Sequence, residues 1–344
     1  MNSGGQPGRR ATIREVAETA GVSRSTASRA LTGHGYVAPQ VRDRVREVAR
    51  SLGYVPDATA RHLRQQSSRS IGVLVSDLNN PFYAGLAAGI SQQARKRQYT
   101  MMLADDGGSP ETEVEAAEAF VALRVAGVVV TPVSAEISTY LARQHIPVVE
   151  VDRRFSAGGC DAVLVDNQSA AQQATTHLLD LGHREIALVI DEMHWTTGRD
   201  RLAGYQSAFA AAGVPFDDSL VVSAGWDVDA ARVAVQKLLS RPKPPTAVFA
   251  ANNVLAEAVW RAASELNFPI PERLSLVAFD DVAWMSLVTP GVTSVAQDPV
   301  ALGEAAISQL VERIQAPHAP VRTVLLSASL VSRGSTAPPP RGRR

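Results

Sequence analysis

Residues 23–29 read SRSTASR, which sets two arginines and four hydroxyl side chains within two helical turns. Short donors and long cations at that density match phosphate oxygens and base edges, and they are poor material for an apolar core. A second group, Asn80, Phe82, Asp152, Arg153, Arg199, Trp226, Asn252, Asp280 and Gln297, falls mostly at the ends of short apolar runs. Carboxylates and an arginine can divide the donor and acceptor roles of a hydroxyl, and an aromatic face can cover the C–H surface of a ring. That chemistry suits a small polyhydroxylated ligand. Each residue also has a plain structural use: Asn80 and Asp280 as caps or turns, Arg199 in a surface ion pair, Trp226 in the core.

The first group needs helices to present it. Thr12-Ile13-Arg14-Glu15 has the capping-box pattern and opens a helix with Ile13, Val16, Ala17 and Ala20 on one face. Gly21-Val22-Ser23 breaks the period, and Ser23 can cap a second helix over 24–31. A third starts at Pro39, aligns Val41, Val45, Val48 and Leu52, and stops at Gly53. Pro56 then forces a break, and Asp57 can cap a segment at 58–65 too short to hold itself as a helix in water. Three such helices also suit a small packing subdomain, but the polar make-up of the second helix argues against that use.

The second group needs strands. From Ser70 onward, apolar runs at 71–75, 99–103, 127–130 and 147–151 alternate with amphipathic helices, and a second series follows at 186–190, 221–223, 247–250 and 274–279. Such alternation predicts doubly wound parallel sheets in two lobes, whose strand ends face each other across one cleft. The expected fold class is therefore α/β, with an all-helical helix-turn-helix headpiece before a two-lobed core.

Charge separates the same two parts. The 344 residues carry 34 basic and 34 acidic side chains, but residues 1–70 hold 12 Arg, no Lys and 5 acids, a net +7, which leaves −7 for the remainder. The basic block favours a polyanionic partner, and the acidic remainder makes it a poor surface for nucleic acid. The lone Cys160 excludes an intramolecular disulfide, and the seven histidines show no zinc spacing. No run approaches the roughly 18 apolar residues of a membrane span, and no apolar stretch behind Arg9-Arg10 makes a secretory signal. The expectation is a soluble cytoplasmic protein without a metal, a bound cofactor or a membrane partner.

The motifs ATIREVAETAGVSRSTASRALTGHGYV, VRDRVREVARSLGYVPDATARHLR, SIGVLVSDLNNPFY, HLLDLGHREIALV, GRDRLAGYQSAF, FAANN and VAFDDVAWMSLVTPGVTSVAQDP resemble, in order, those of the lactose-repressor family of transcriptional regulators, from Thr12 to about Arg333. The resemblance implies a homodimer that binds double-stranded, pseudo-palindromic operator DNA, with a periplasmic sugar-binding-protein-like core. It implies base reading by Arg24, Ser25 and Arg29, phosphate contacts from Thr12, Ser23, Thr26 and Ser28, further DNA contacts from Tyr36 and Ala60, and a minor-groove wedge at Leu63 in a hinge helix. It also marks Tyr83, with the cleft group above, as effector-binding. Asn253 departs from the acidic residue common there, which leaves ligand shape open.

The expected domains are a disordered tail at 1–11, a DNA-binding domain at 12–56, a hinge helix and linker at 57–69, a core at 70–336 and a disordered tail at 337–344. Within the core, the N-lobe is expected at about 70–166 and 297–325, and the C-lobe at about 167–296 and 326–336. The implied function is a repressor whose operator affinity is set by a sugar or polyol. Alternatives are a purine-dependent co-repressor mechanism, an α/β enzyme built on paired acids such as Asp105-Asp106 and Asp280-Asp281, or a sugar-binding transport protein. The enzyme reading finds no G-x-S-x-G, Walker lysine loop or G-x-G-x-x-G, and the transport reading lacks a signal peptide.

Overall fold

The computed structural model describes residues 11–33, 35–54, 68–155 and 159–340. The chain divides into two units, Met1–Ser68 and Arg69–Arg344. Ala60, Leu63 and the expected hinge helix lie outside the described residues.

In the first unit, α1 (Ile13–Thr19), α2 (Arg24–Thr32) and α3 (Pro39–Ser51) enclose a small core of Val16, Ala17, Ala20, Ala27, Ala30, Val37, Val45 and Ala49. The Thr12 amide donates to Glu15 Oε2 at 2.7 Å while the Glu15 amide donates to Thr12 Oγ1 at 3.3 Å, which satisfies two otherwise orphaned helix-start donors. Ser23 Oγ accepts from the Thr26 amide at 3.1 Å and starts α2. Leu52 departs from the predicted apolar face: it caps α3 and is exposed. The chain reverses there, and Tyr54, whose amide donates to Ala49 O at 2.8 Å, packs on the core instead.

In the second unit the N-lobe strands are β1 (Ser70–Val75), β2 (Thr100–Asp105), β3 (Val128–Val130), β4 (Val148–Val151) and β5 (Asp161–Val165), linked by α4 (Pro81–Lys96), α5 (Pro110–Ala122) and α6 (Glu136–Arg143). The C-lobe holds α7 (Asn167–Asp180), β6 (Ile186–Ile190), α8 (Thr196–Ala211), β7 (Val221–Ser223), α9 (Val228–Leu239), β8 (Ala247–Ala250), α10 (Asn253–Glu265), β9 (Ser275–Phe279), α11 (Trp284–Leu287) and β10 (Thr293–Ala296). The chain then returns to the N-lobe as α12 (Pro299–Gln315) and β11 (Thr323–Leu326), and ends in the C-lobe as β12 (Ser329–Val331). The sheet orders are β11-β5-β4-β3-β1-β2 and β12-β10-β9-β8-β6-β7, parallel except for the β10–β12 pair. Three segments therefore cross between lobes, near Asp166, Gln297 and Ser327. Among the described residues no helix is long and apolar enough to cross a membrane.

Arg69, expected in the linker, already belongs to the core, since its carbonyl accepts from the Thr100 amide at 2.8 Å. The Pro/Arg-rich terminus also differs from expectation over Ala337–Pro340. Its backbone is bound to the C-lobe: Ala337 N donates to Ser275 Oγ at 3.0 Å, and Ala337 O lies 2.8 Å from Nε2 of buried His183. Burial pushes the His183 pKa down, which favours the neutral ring. Two residues earlier, fully buried Ser335 accepts from the Thr293 amide at 2.8 Å and donates to Leu276 O at 2.6 Å. Composition alone hid this anchor, which lies in polar contacts distant in sequence.

Ser335→Ala should leave those backbone groups buried without partners and lower core stability by about 1–3 kcal/mol. Urea unfolding of the full chain checks this; an unchanged core midpoint would mean that the terminal anchor contributes nothing.

Candidate functional site

Open parallel sheets offer ligand groups where their strands end. Here Ser76 follows β1, Asp152 and Arg153 follow β4, Asp191 follows β6, Asn252 lies just beyond β8, Asp280 follows β9 and Gln297 follows β10, and all of them line one cleft between the lobes. Its space, including the open mouth, is about 510 Å³. Asp152 and Asp280 are held at φ +71° and +69°, a conformation that aspartate tolerates better than most non-glycine residues and that is concentrated at functional sites.

Asn80 and Asn252 serve two purposes. Asn80 Oδ1 caps α4 through the Phe82 amide at 3.0 Å, and Asn252 Oδ1 caps α10 through the Leu255 amide at 2.8 Å. Asn252 Nδ2 meanwhile donates to Asp191 Oδ2 at 2.9 Å. Asn253, where the family motif often has an acid, donates through Nδ2 to Asn80 Oδ1 at 3.0 Å across the lobes and to Asp280 Oδ2 at 2.9 Å. Gln297 Nε2 donates to the other oxygen of Asp280 at 2.5 Å.

Arg153 is 2% exposed, pairs with Asp152 at 3.3 Å, donates to the Tyr83 hydroxyl and lies 3.9 Å from the centroid of the Trp195 ring. Burial alone would pull its pKa down, but Tyr83, Asp152 and Asp191 together push it up. Burial raises the pKa of Asp152 against the pull of Arg153 and Arg201, and raises that of Asp191 against Arg201, the Asn252 hydrogen bond and Arg153. Three buried polar atoms of this wall have no hydrogen-bond partner among the described residues: Arg153 Nη1, Asp191 Oδ1 and Trp195 Nε1.

The structure brings together nine of the ten cleft residues expected from sequence: Asn80, Phe82, Tyr83, Asp152, Arg153, Trp226, Asn252, Asp280 and Gln297. Arg199 is the exception. Its side chain is 66% exposed and lies 3.5 Å from Asp200, whereas Arg201 lines the cleft. Residues i and i+2 point to nearly opposite sides of a helix, and buried Gly198, Arg201, Gly204, Tyr205, Ala208 and Phe209 mark the inner face of α8. That spacing was available in the sequence as the signal for Arg201. Arg201 donates to Asn167 Oδ1 at 2.8 Å and Ala251 O at 2.5 Å, with its guanidinium 3.7 Å from the centroid of the Phe279 ring. Ser76, Asp191, Trp195, Thr197 and Val254 also line the cleft without having been singled out. For Ser76 and Asp191 the strand-end position was a usable signal.

In the headpiece, Arg24, Ser25 and Arg29 are exposed on α2, with Thr12 and Ser23 exposed and Thr26 and Ser28 half-buried. Ser23 Oγ lies 2.9 Å from both Ser25 Oγ and Thr26 Oγ1, and Arg29 Nε donates to Ser25 O at 3.3 Å. The hydroxyls thus combine capping with an accessible polar face. Tyr36 is 87% exposed. The paired acids have structural partners: Asp281 faces away from the cleft to pair with Arg333 at 2.7 Å, and Asp105 and Asp106 hold turn amides.

Residues 12–57 match the pattern of the bacterial regulatory proteins of the lacI family, and residues 175–336 match a periplasmic binding protein-like domain. The chain is 30% identical to the ribose operon repressor of Escherichia coli K12 over 328 residues, which cover 94% of this chain and 99% of that protein. Among solved structures, it resembles a Lac repressor bound to ONPG in the repressed state at TM-score 0.85 and 25% identity, covering 95% of this chain and 100% of the other. It also resembles a LacI family transcriptional regulator from Enterococcus faecium with bound ribose at TM-score 0.70 and 29% identity, covering 78% of this chain and 99% of the other.

Buried Asp106, which follows β2, yields a pH test. Burial raises its pKa from 3.8 to about 7 against the Gly108 amide hydrogen bond. Because the folded value lies above the unfolded one, its contribution to stability is full below about pH 4 and is lost as pH rises through about 7. The stability difference between the parent and Asp106→Asn should therefore shift against the parent from pH 4 to pH 7 in parallel denaturant titrations. A pH-independent difference would show that Asp106 ionises as freely folded as unfolded.

Proposed function

The chain belongs to the lacI family of bacterial regulatory proteins and is a DNA-binding transcriptional regulator, and we propose that a sugar or polyol held in the core cleft sets its operator affinity. The observation that carries this reading is the unpartnered cleft wall: Arg153 Nη1, Asp191 Oδ1 and Trp195 Nε1 offer donors and an acceptor, beside Asp152, Asp280, Arg201 and Asn252. A buried polar group without a partner costs roughly 1–3 kcal/mol, more if charged, and vicinal hydroxyls satisfy donors and acceptors together. Phe82, Trp195 and Trp226 supply apolar faces for the C–H surface of the ring. The ribose named for the Escherichia coli and Enterococcus faecium proteins supports the same ligand class.

The protein acts in the cytoplasm as a homodimeric repressor. Its headpiece at 12–56 binds a two-fold operator, and its core at 70–336 binds the effector and forms the dimer. Arg24, Ser25 and Arg29 read base edges, Thr12, Ser23, Thr26 and Ser28 contact phosphates, and Tyr36 makes a further DNA contact. Sugar binding favours a lobe arrangement that weakens the grip on the operator, so the effector induces. The protein turns nothing over.

Two outcomes follow. Calorimetric titration of the full chain with pentoses, hexoses, polyols and purines should find a sugar or polyol that binds. Arg199→Ala should retain it, and Arg201→Met should lose at least about tenfold in affinity, equivalent to about 1.4 kcal/mol. A purine ligand alone would replace induction with co-repression, and turnover of a panel member would restore the enzyme reading. On DNA, binding-site selection should return a palindrome. Arg29→Ala should cost about 1–3 kcal/mol at one base pair, while Ser28→Ala weakens all sequences alike. Selection without a palindrome would contradict the dimeric reading.

A further inference from the structure

The turn after β2 carries two adjacent glycines, Gly107 and Gly108, at φ +59° and +73°. Two carboxylates pin it. Asp105 Oδ1 accepts from the Gly107 amide at 3.0 Å, Asp105 Oδ2 from the Leu78 amide at 2.9 Å, and Asp106 Oδ1 from the Gly108 amide at 2.7 Å. The two glycines share a left-handed backbone but not their surroundings. A Cβ on Gly107 would meet nothing within 4 Å, whereas a Cβ on Gly108 would lie 2.3 Å from Cζ2 and 2.5 Å from Cη2 of Trp226. Trp226 follows β7 in the opposite lobe and lines the cleft. The six-membered edge of its indole is thus seated on the bare backbone of the N-lobe turn.

The indole is a rigid plate, with the Trp195 ring centroid 6.4 Å away. A methyl at Gly108 leaves two ways to relieve the overlap: the lobes part, or the indole leaves its seat. We propose that Gly108 is a positioning residue for the effector site, its missing side chain being the notch that lets Trp226 close the cleft from the opposite lobe. The seat is a contact between lobes. Its consequence for ligand affinity deepens the effector-cleft reading and rests on it.

The test compares Gly107→Ala, Gly108→Ala, Trp226→Ala and the Gly108→Ala/Trp226→Ala double variant in the full chain. One readout is amide hydrogen exchange of the cleft segments 76–82 and 191–197 without ligand; the other is calorimetric titration with D-ribose. Overpacking of this kind should accelerate exchange and weaken D-ribose binding at least about fivefold in Gly108→Ala. Gly107→Ala, which meets the same backbone strain without the contact, should stay close to the parent. In the Trp226→Ala background the alanine at position 108 should add nothing further, because the side chain it would strike is gone. Equal effects of the two glycine variants, an undiminished effect of Gly108→Ala without Trp226, or a silent Gly108→Ala would overturn the proposal. The expected exchange pattern without D-ribose binding to the parent would support the seat and count against ribose as effector.

Discussion

Charge buried between two lobes is the constraint on which the rest of this molecule depends. Asp152, Arg153, Asp191, Arg201 and Asp280 are all withdrawn from water, and isolated ions in such surroundings are prohibitively costly unless paired and hydrogen-bonded. Only one of the pairs is local, Arg153 with the adjacent Asp152. Asp152 and Arg153 come from the N-lobe, while Asp191, Arg201 and Asp280 come from three different elements of the C-lobe. Part of the compensation crosses the cleft: Arg201 pulls the pKa of Asp152 down, and Arg153 does the same to Asp191. Both sheets use the same strand order, parallel except for the β10–β12 pair, and Asp152 and Asp280 at their strand ends adopt an uncommon backbone conformation.

The same constraint couples the lobes. Asn253 to Asn80, the Arg154 amide to Thr196 Oγ1 at 3.1 Å, and Arg153 over Trp195 are contacts across the cleft, made beside polar atoms that remain unpartnered. A polar ligand that supplied those partners would favour one lobe arrangement over others by its differential contacts, which is the requirement for a ligand to move a conformational equilibrium. Three chain crossings join the lobes, so relative movement needs only a few residues to change conformation. Within the core unit, β1 leads into Ser76 on the cleft wall.

Much of this was legible in the sequence because parallel strands place functional residues at predictable points. Asp152 and Asp280 could be found from the ends of apolar runs, and Thr12 and Ser23 from their caps. Arg199 misled because two arginines stand two residues apart in GRDRLAGY, and only the inward spacing of Gly198, Arg201, Gly204 and Tyr205 separates them. Trp195 sits in a loop next to exposed Met193 and His194, so hydropathy gave no cue. Four strands escaped: β5, β10, β11 and β12 are short, and β11 and β12 are half-exposed. The seat of Trp226 on Gly108 and the anchoring of Ala337 by Ser275 join residues that no local pattern relates.

The central claim is that cleft and operator are linked, and reciprocal titration tests it most directly. Operator affinity would be measured with and without saturating sugar, and sugar affinity with and without saturating operator, on the same full-length protein at one salt concentration. Linkage requires the two ratios to be equal, and couplings of this kind run to about 5–150-fold. The account predicts equal ratios in that range, with sugar weakening operator binding. Ratios of one, with both ligands bound, would contradict it.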